Sequence, residues 1–385
     1  MISHEEILGI KDYIINLRRS FHAEPELSNK EYQTTLKIEE ELAILKIPYQ
    51  RVSETGVIGV IAGEYLREDA KVIALRADID ALCIEEKNEV NYKSKNPGVM
   101  HACGHDGHIA ALLGAARLLQ EHKSELKQKV LLVFQPAEEI GAGAKQCLPY
   151  LKNVDRIVGV HLASFLKTGK IMIQTSESNP SCDYFKITVK GKSCHVSKPH
   201  DGIDALYIGS QIVVGLQAIV ARMTNPLDSV VVGIGKMVAG TNYNIVANEA
   251  ILEGTTRAFN EETRQKVNTT VKEIAKSIGA TYGAEVEVSF KDYASALVND
   301  TEVSKELVKI ATEVVGKENV ILNGPKTMMA DDFAEYLTEI KGSYLLVGSS
   351  SNEQTAYPHH HERFDIDEEA LLIIAELFTK YVEKL

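Results

Sequence analysis

Short runs of consecutive apolar residues, separated by stretches of helical character, constrain the fold of this 385-residue chain more than any other feature. VIGVIAG, KVIALRAD, KVLLVFQPAEE and RIVGVH are apolar continuously and not at every second position. A strand of that texture is buried on both faces, as happens when helices cover both sides of a mainly parallel sheet. HIAALLGAARLLQ, which lies among these runs, reads as one of the covering helices. Two Ser-x-x-Glu boxes, Ser3 to Glu6 and Ser28 to Glu31, predict the starts of two opening helices.

The rhythm breaks at SESNPSCD, residues 176–183. A different module follows. YFKITVKG reads as a strand, GIDALYIGSQIVVGLQAIVARM as a long helix, and VVVGIGKMVAG with EAILEGTTRAF as a strand pair. ETRQKVNTTVKEIAKSIG is then a helix and AEVEVSFKD a last strand. The order β-α-β-β-α-β is ferredoxin-like. Beyond about residue 293 the first pattern resumes, with YLLVG a strand and EEALLIIAELFTKYVEKL a closing helix. The expectation is an α/β catalytic domain of residues 1–178 and 294–385, interrupted by a smaller α+β domain over 179–293.

Charge narrows the partners. With 42 Lys and Arg against 54 Asp and Glu, the formal charge of −12 disfavours nucleic acid and anionic membrane surfaces. No signal-peptide pattern opens the sequence, and no apolar run is seen to approach the ~20 residues of a membrane span. The five cysteines, an odd number in no regular framework, suit a reducing compartment. A cytoplasmic protein acting on a small molecule is expected.

The chemistry concentrates in HACGHDGH, residues 101–108, which puts His101, Cys103, His105 and His108 within eight positions. Thiolate and imidazole are preferred ligands of zinc and related divalent metals. Cys103 and His105, two apart, cannot share a helix face and should converge from a loop just before the helix. The bland alternative is a surface loop that happens to be rich in histidine. Other metal-competent residues end strands: Asp78 after KVIALRAD, Glu138 and Glu139 after KVLLVFQPAEE, and His161 after RIVGVH. Sites of open α/β sheets form at the carboxyl ends of the strands. An acid after a strand is more often a solvated turn residue, yet two adjacent carboxylates can divide the work, one on metal and one beside water. PHHHERFD, residues 358–365, supplies a distal histidine, with the choice among His359, His360 and His361 open.

Taken in order, RRSFHAEPELSNKEYQTT, ALRADIDAL, MHACGHDGH, FQPAEE, GVH, VKGKSCHVSKPHDGIDA, NYNIVANEAILEGTTRAF, DDFAEY and HHHERFDIDE resemble the aminoacylase, hippurate hydrolase and auxin-conjugate amidohydrolase family of metallopeptidases. The resemblance spans essentially the whole chain. It implies one or two divalent ions (Zn, Mn, Co or Ni) on Cys103, His105, Glu139, His161 and His360. It also implies Glu138 as general base, Asp78 as the acid that orients a ligand or lies near the metals, and His195 as the residue polarising the scissile carbonyl. Asn244 and Arg257 fall at substrate-binding positions, Arg257 being suited to a carboxylate. The implied reaction is hydrolysis of an N-acyl-L-amino acid, with a dipeptidase or carboxypeptidase, or a silent metal-binding protein, as alternatives. The inserted domain is expected to serve as lid and to form a homodimer or dimer-based oligomer. Departures from the family pattern are Ser193-Cys194 before His195, Met329-Ala330-Asp331 before Asp332-Phe333, and Pro358 before His359. A thiol hydrolase built on Cys103 is the other enzymatic reading, but His105 two residues away is poor geometry for its base. Residue by residue, His195 could instead cap a helix, Asn244 sit in a turn and Arg257 pair with a nearby acid. His22, His200 and the remaining cysteines read as structural.

Overall fold

The computed structural model describes residues 2–64, 66–67 and 69–385. They form two compact units. The first comprises Met1–Ser176, Asn299–Lys326 and Asp331–Leu385, and the second Glu177–Val298 with Thr327–Ala330. The division lies at Ser176 and Asn299, a few residues from the 178 and 294 expected. The reason is a short antiparallel pairing of Glu177–Asn179 with Leu297–Val298, which belongs to the second unit.

The first unit is built on a sheet of eight strands among the described residues. In spatial order they are Tyr49–Arg51, Val57–Ala62, Lys129–Gln135, Val72–Asp78, Arg156–Lys167, Gly342–Ser350, Ile171–Ile173 and Val320–Leu322. The four central strands, from Lys129–Gln135 to Gly342–Ser350, are mutually parallel, and antiparallel pairs occur only outside them. Three of these four carry the runs KVIALRAD, KVLLVFQPAEE and RIVGVH and the fourth carries YLLVG, while VIGVIAG forms the antiparallel Val57–Ala62 beside them; side chains such as Ile73, Leu75, Val130, Leu132, Val158 and Val347 are fully or almost fully buried. The helix His105–Glu121 is buried along nearly its whole length and packs between the sheet and the helices Lys11–His22 and Glu369–Lys384. This explains a helix without a polar face: it has no side left for water.

Two local expectations change. Ser3 and Glu6 form the capping box, but Ser28 and Glu31 do not. The first opening stretch is itself divided into His4–Gly9 and Lys11–His22, and the second helix of that reading, Tyr32–Ile44, has Glu31 at its N-cap with no side-chain cap bond. The Ser28 and Glu31 side chains reach across the fold instead, to Asp80 and to the Ala137 amide. The strand bearing His161 also does not end there. It runs on to Lys167 because its pairing with Gly342–Ser350 continues past His161.

The second unit contains the four-stranded antiparallel sheet Glu285–Ala294, Cys182–Lys190, Glu249–Ala258, Val230–Ala239, in that spatial order. Its two helices, Ala205–Ala218 and Glu261–Thr281, bury Ile208, Ile212, Leu216, Val267 and Val271 against Phe185, Ile187 and Leu252. The run Ala205–Met223 has mean hydropathy 1.4 over a membrane-spanning length, so the expectation that no apolar run nears twenty residues is corrected here. Only 28% of that window is buried. The buried residues of the run, Ala205, Ile208, Gly209, Ile212, Leu216 and Ile219, form one stripe at helical spacing turned to this unit's own sheet.

Candidate metal centre

Three elements of the first unit deliver donors to one place. Gly104 has φ +94°, a backbone left-handed enough to favour glycine, and a Cβ there would lie 3.3 Å from Leu162. That turn leaves Cys103 in the loop and makes His105 the first residue of the helix, not a loop residue as its spacing predicted. The strand Arg156–Lys167 brings His161 to the same spot, where its Nε2 is 3.5 Å from the Cys103 Sγ. After the strand Lys129–Gln135, Ala137 adopts φ +54° and turns the chain into a 3-10 turn at Glu138–Ile140. Glu139 then lies with Oε1 3.9 Å from His105 Nε2 and Oε2 3.5 Å from His360 Nε2.

Hydrogen bonds fix which ring nitrogens are available. His105 Nδ1 donates to the Asp80 carbonyl at 2.9 Å, and His161 Nδ1 to the Leu162 carbonyl at 2.7 Å. Each ring therefore has its Nδ1 occupied and leaves Nε2 as the atom for a metal. His108, also in the cluster, is used up: Nδ1 donates to Asp78 Oδ1 at 2.5 Å and Nε2 accepts the Leu162 N–H at 3.0 Å. Among the three consecutive histidines, His359 donates through Nε2 to the Leu162 carbonyl at 2.9 Å, while His361 accepts the Arg363 N–H and stacks on Tyr357. His360, held at φ +64° with its N–H on the Ala102 carbonyl, is the one whose Nε2 faces Glu139. Cys103, Glu139 and His360 form one donor group, and Asp78, His105 and His161 meet in another, each within 4.8 Å.

The electrostatics call for a cation. His105 Nε2 and Glu139 Oε1 are buried with no hydrogen-bond partner, a costly arrangement for polar atoms unless a metal satisfies them. Burial, with Asp331, Glu139, Asp332 and Asp80 close by, pushes the Glu138 carboxyl well above its ordinary range. Burial likewise raises Glu139, to about 7, with His105 opposing and Asp80 and Asp78 adding. Burial lowers His161 well below its usual value, which keeps it neutral. For His105 burial is outweighed by the carboxylates of Asp78, Asp80 and Glu139, which hold the ring up at about 10. A cluster of acids that repel one another around His105, the neutral His161 and a thiol is a donor set suited to divalent metal, whose charge would take the place of the His105 proton.

Residues absent from the sequence reading complete the surroundings. Asp80 Oδ1 lies 3.4 Å from His105 Nδ1 and Oδ2 accepts the Glu139 N–H at 3.0 Å, so Asp80 orients two donors at once. Asp78 instead ties His108 (2.5 Å) to the buried Arg76 (2.6 Å), with His105 Nε2 3.5 Å away. Arg76 also reaches Asp331 and Asp332. Asp80 was legible in ALRADIDAL, two positions beyond Asp78 and on the same side of an extended chain. The second unit holds His195, Asn244 and Arg257. His195 Nδ1 accepts the Ser197 N–H at 3.1 Å, Asn244 Oδ1 is buried without a partner, and Arg257 donates to the Met328 carbonyl at 3.0 Å.

Residues 74–384 match the model of Peptidase family M20/M25/M40. The chain belongs to that family. With the donor set described above, it is a metal-dependent amidohydrolase. The chain is 39% identical over 374 residues to N-acetylcysteine deacetylase of Bacillus subtilis (strain 168), covering 95% of each. It is 37% identical over 374 residues to thermostable carboxypeptidase 2 of Saccharolobus solfataricus, covering 95% of this chain and 93% of the relative. Among solved structures, the Bacillus subtilis YXEP protein, described as a dinuclear metal binding peptidase from the M20 family, superposes with TM-score 0.85 at 36% identity over 98% of both chains.

Proposed function

We propose that this enzyme hydrolyses the amide bond of N-acyl-L-amino acids, with Cys103, His105, Glu139, His161 and His360 holding one or two divalent ions. The observation that carries the reading is the meeting of imidazole Nε2 atoms, a thiol and Glu139 beside a second carboxylate, Glu138. A structural metal site needs ligands only, and Glu138 is an acid beyond that need. When bound, the cation would polarise the amide carbonyl and lower the pKa of water to about 7. Glu138 takes the proton of the attacking water and delivers it to the leaving amine. Burial among other acids, which raises this carboxyl, favours its taking up that proton.

His195 is assigned to the developing oxyanion. The Ser197 N–H donates to Nδ1, so the ring proton is on Nε2, where a donor is needed. Asn244 and Arg257 are assigned to the substrate, Arg257 to its carboxylate by a two-pronged contact. The inserted unit is read as lid and as the seat of a homodimer. Exposed Leu206 and Val214 on its first helix, Val220 just after it, and Val238 on the edge strand support that surface. A monomeric mass in solution would reject it.

The test is amine release from a panel of N-acyl amino acids and dipeptides, with chelator and with Zn, Mn, Co or Ni restored. Chelator-sensitive release from acyl amino acids is expected. Release from dipeptides alone would transfer the assignment to a dipeptidase or carboxypeptidase, in keeping with the second relative. No release from metal-loaded, folded protein would leave a binding protein.

A further inference from the structure

The turn Ser28–Glu31 ends two buried hydrogen-bond paths that lead to the Glu138–Glu139 pair. Leu27 forms a parallel bridge with Ala81, and the Ala81 N–H donates to the Glu26 carbonyl at 2.8 Å, so this segment lies along the residues after the strand Val72–Asp78. From it, the Ser28 hydroxyl donates to Asp80 Oδ2 at 2.6 Å, the same oxygen that accepts the Glu139 N–H. Three residues on, the Glu31 carboxylate is fully buried, and its Oε1 accepts the Ala137 N–H at 2.8 Å.

Ala137 is the residue on which the Glu138 turn depends. A non-glycine residue at φ +54° is held there only when its surroundings insist on it. On the far side, the Ala137 carbonyl accepts the N–H groups of Ala142 and Gly143, and a Cβ on Gly143 would come within 1.6 Å of the Pro136 carbonyl oxygen. The two peptides flanking Ala137 are thus each fixed, and Glu31 is the partner of the first of them. Burying a carboxylate at the N-cap of a helix, without using it as a cap, has no local benefit.

We infer that Glu31 is a positioning residue for the Glu138 carboxylate, acting through the Ala137 N–H, with Ser28 doing the same for Glu139 through Asp80. This rests on the reading of Glu138 as the base. Glu31 touches none of the metal donors, so its removal should change the aim of Glu138 and leave the metals in place.

Two variants separate this from a merely structural role. Glu31→Gln keeps an acceptor at the same reach. Glu31→Asp keeps the charge but withdraws the acceptor by one methylene. In the metal-loaded protein, kcat of Glu31→Asp should fall about 10- to 100-fold while KM stays within about twofold, as expected for a misplaced catalytic group. Glu31→Gln should recover to within about threefold of the parent. Metal content and the visible spectrum of the cobalt-substituted protein should be unchanged in both, and amide exchange at residue 137 should speed up in Glu31→Asp alone. The inference is overturned if folded Glu31→Asp keeps the parental kcat, if Glu31→Gln is as impaired as Glu31→Asp, or if exchange at residue 137 is the same in all three. Glu138→Ala, measured alongside, reports on the base itself. Should it retain turnover, the base reading falls, and the exchange rate at residue 137 still decides whether Glu31 holds that turn.

Discussion

Replacing Arg18 by methionine would remove the one guanidinium that neutralises a buried acidic group at the start of the metal-bearing helix. Arg18 is fully buried, with Nε 2.8 Å from Asp106, Nη2 2.7 Å from Asp365 and Nη1 3.4 Å from Glu368. Asp106 has no exposure either, and its other partner is His22 at 2.8 Å. Methionine fills much of the arginine stem, so the loss is mainly electrostatic: a buried carboxylate is left one cation short. Breaking a buried pair from one side costs about 3–5 kcal/mol. At about 2 °C per kcal/mol for a domain of this size, Tm should fall by roughly 6–10 °C. The neighbouring Arg19 is the control. Its side chain is 40% exposed and its bond to Glu368 is half in water, so Arg19→Met should cost about 1 kcal/mol or less. Thermal unfolding of the metal-free proteins, followed by circular dichroism, reads both. Equal shifts for Arg18→Met and Arg19→Met would refute the claim that burial sets the cost.

The same cluster gives stability a defined pH window. Burial works against them, but Arg18 and His22 hold Asp106, Arg18 holds Asp365 and His22 holds Glu86 below their ordinary values. Groups lowered in this way stabilise the fold above their unfolded pKa of about 4 and lose that contribution as pH falls below it. His22 is raised despite burial and Arg18, by Asp106 and Glu86, so its contribution is complete below about 6.5 and is lost as pH rises through its folded value. Tm should therefore peak between those limits, and its acid limb should be shallower in Arg18→Met; identical acid limbs would contradict this. Among the clustered histidines, His360→Ala should lower metal content in equilibrium dialysis, while His359→Ala, whose ring is bonded to a backbone carbonyl, should lower it far less. The reverse order would move the ligand assignment to His359.

The parts of this account that were legible in the sequence are those set by local texture. Continuous apolar runs and YLLVG announced the four parallel strands, although the run VIGVIAG proved to be an antiparallel neighbour, and HACGHDGH with FQPAEE announced donors, because these residues are neighbours in the chain. What remained hidden depends on partners far apart in sequence. Arg18 looks like a surface arginine until Asp106 and Asp365 are seen to enclose it. Ser28 and Glu31 satisfy a capping-box pattern, and only the fold reveals that Asp80 and Ala137 compete successfully for both side chains. His108 has the same residue type and nearly the same position as His105, yet its two hydrogen bonds remove it from the donors. The end of the strand at His161 was misjudged for a related reason, since pairing with Gly342–Ser350 prolongs it beyond its apolar run.

The most direct test of metal-assisted hydrolysis with Glu138 as the base is to measure metal content and turnover together in Glu138→Ala. The account predicts metal bound as in the parent and turnover lower by about 10²–10⁴-fold, the contribution of a positioned general base. Turnover near the parental level would contradict the base assignment, and loss of metal along with turnover would make Glu138 a ligand instead.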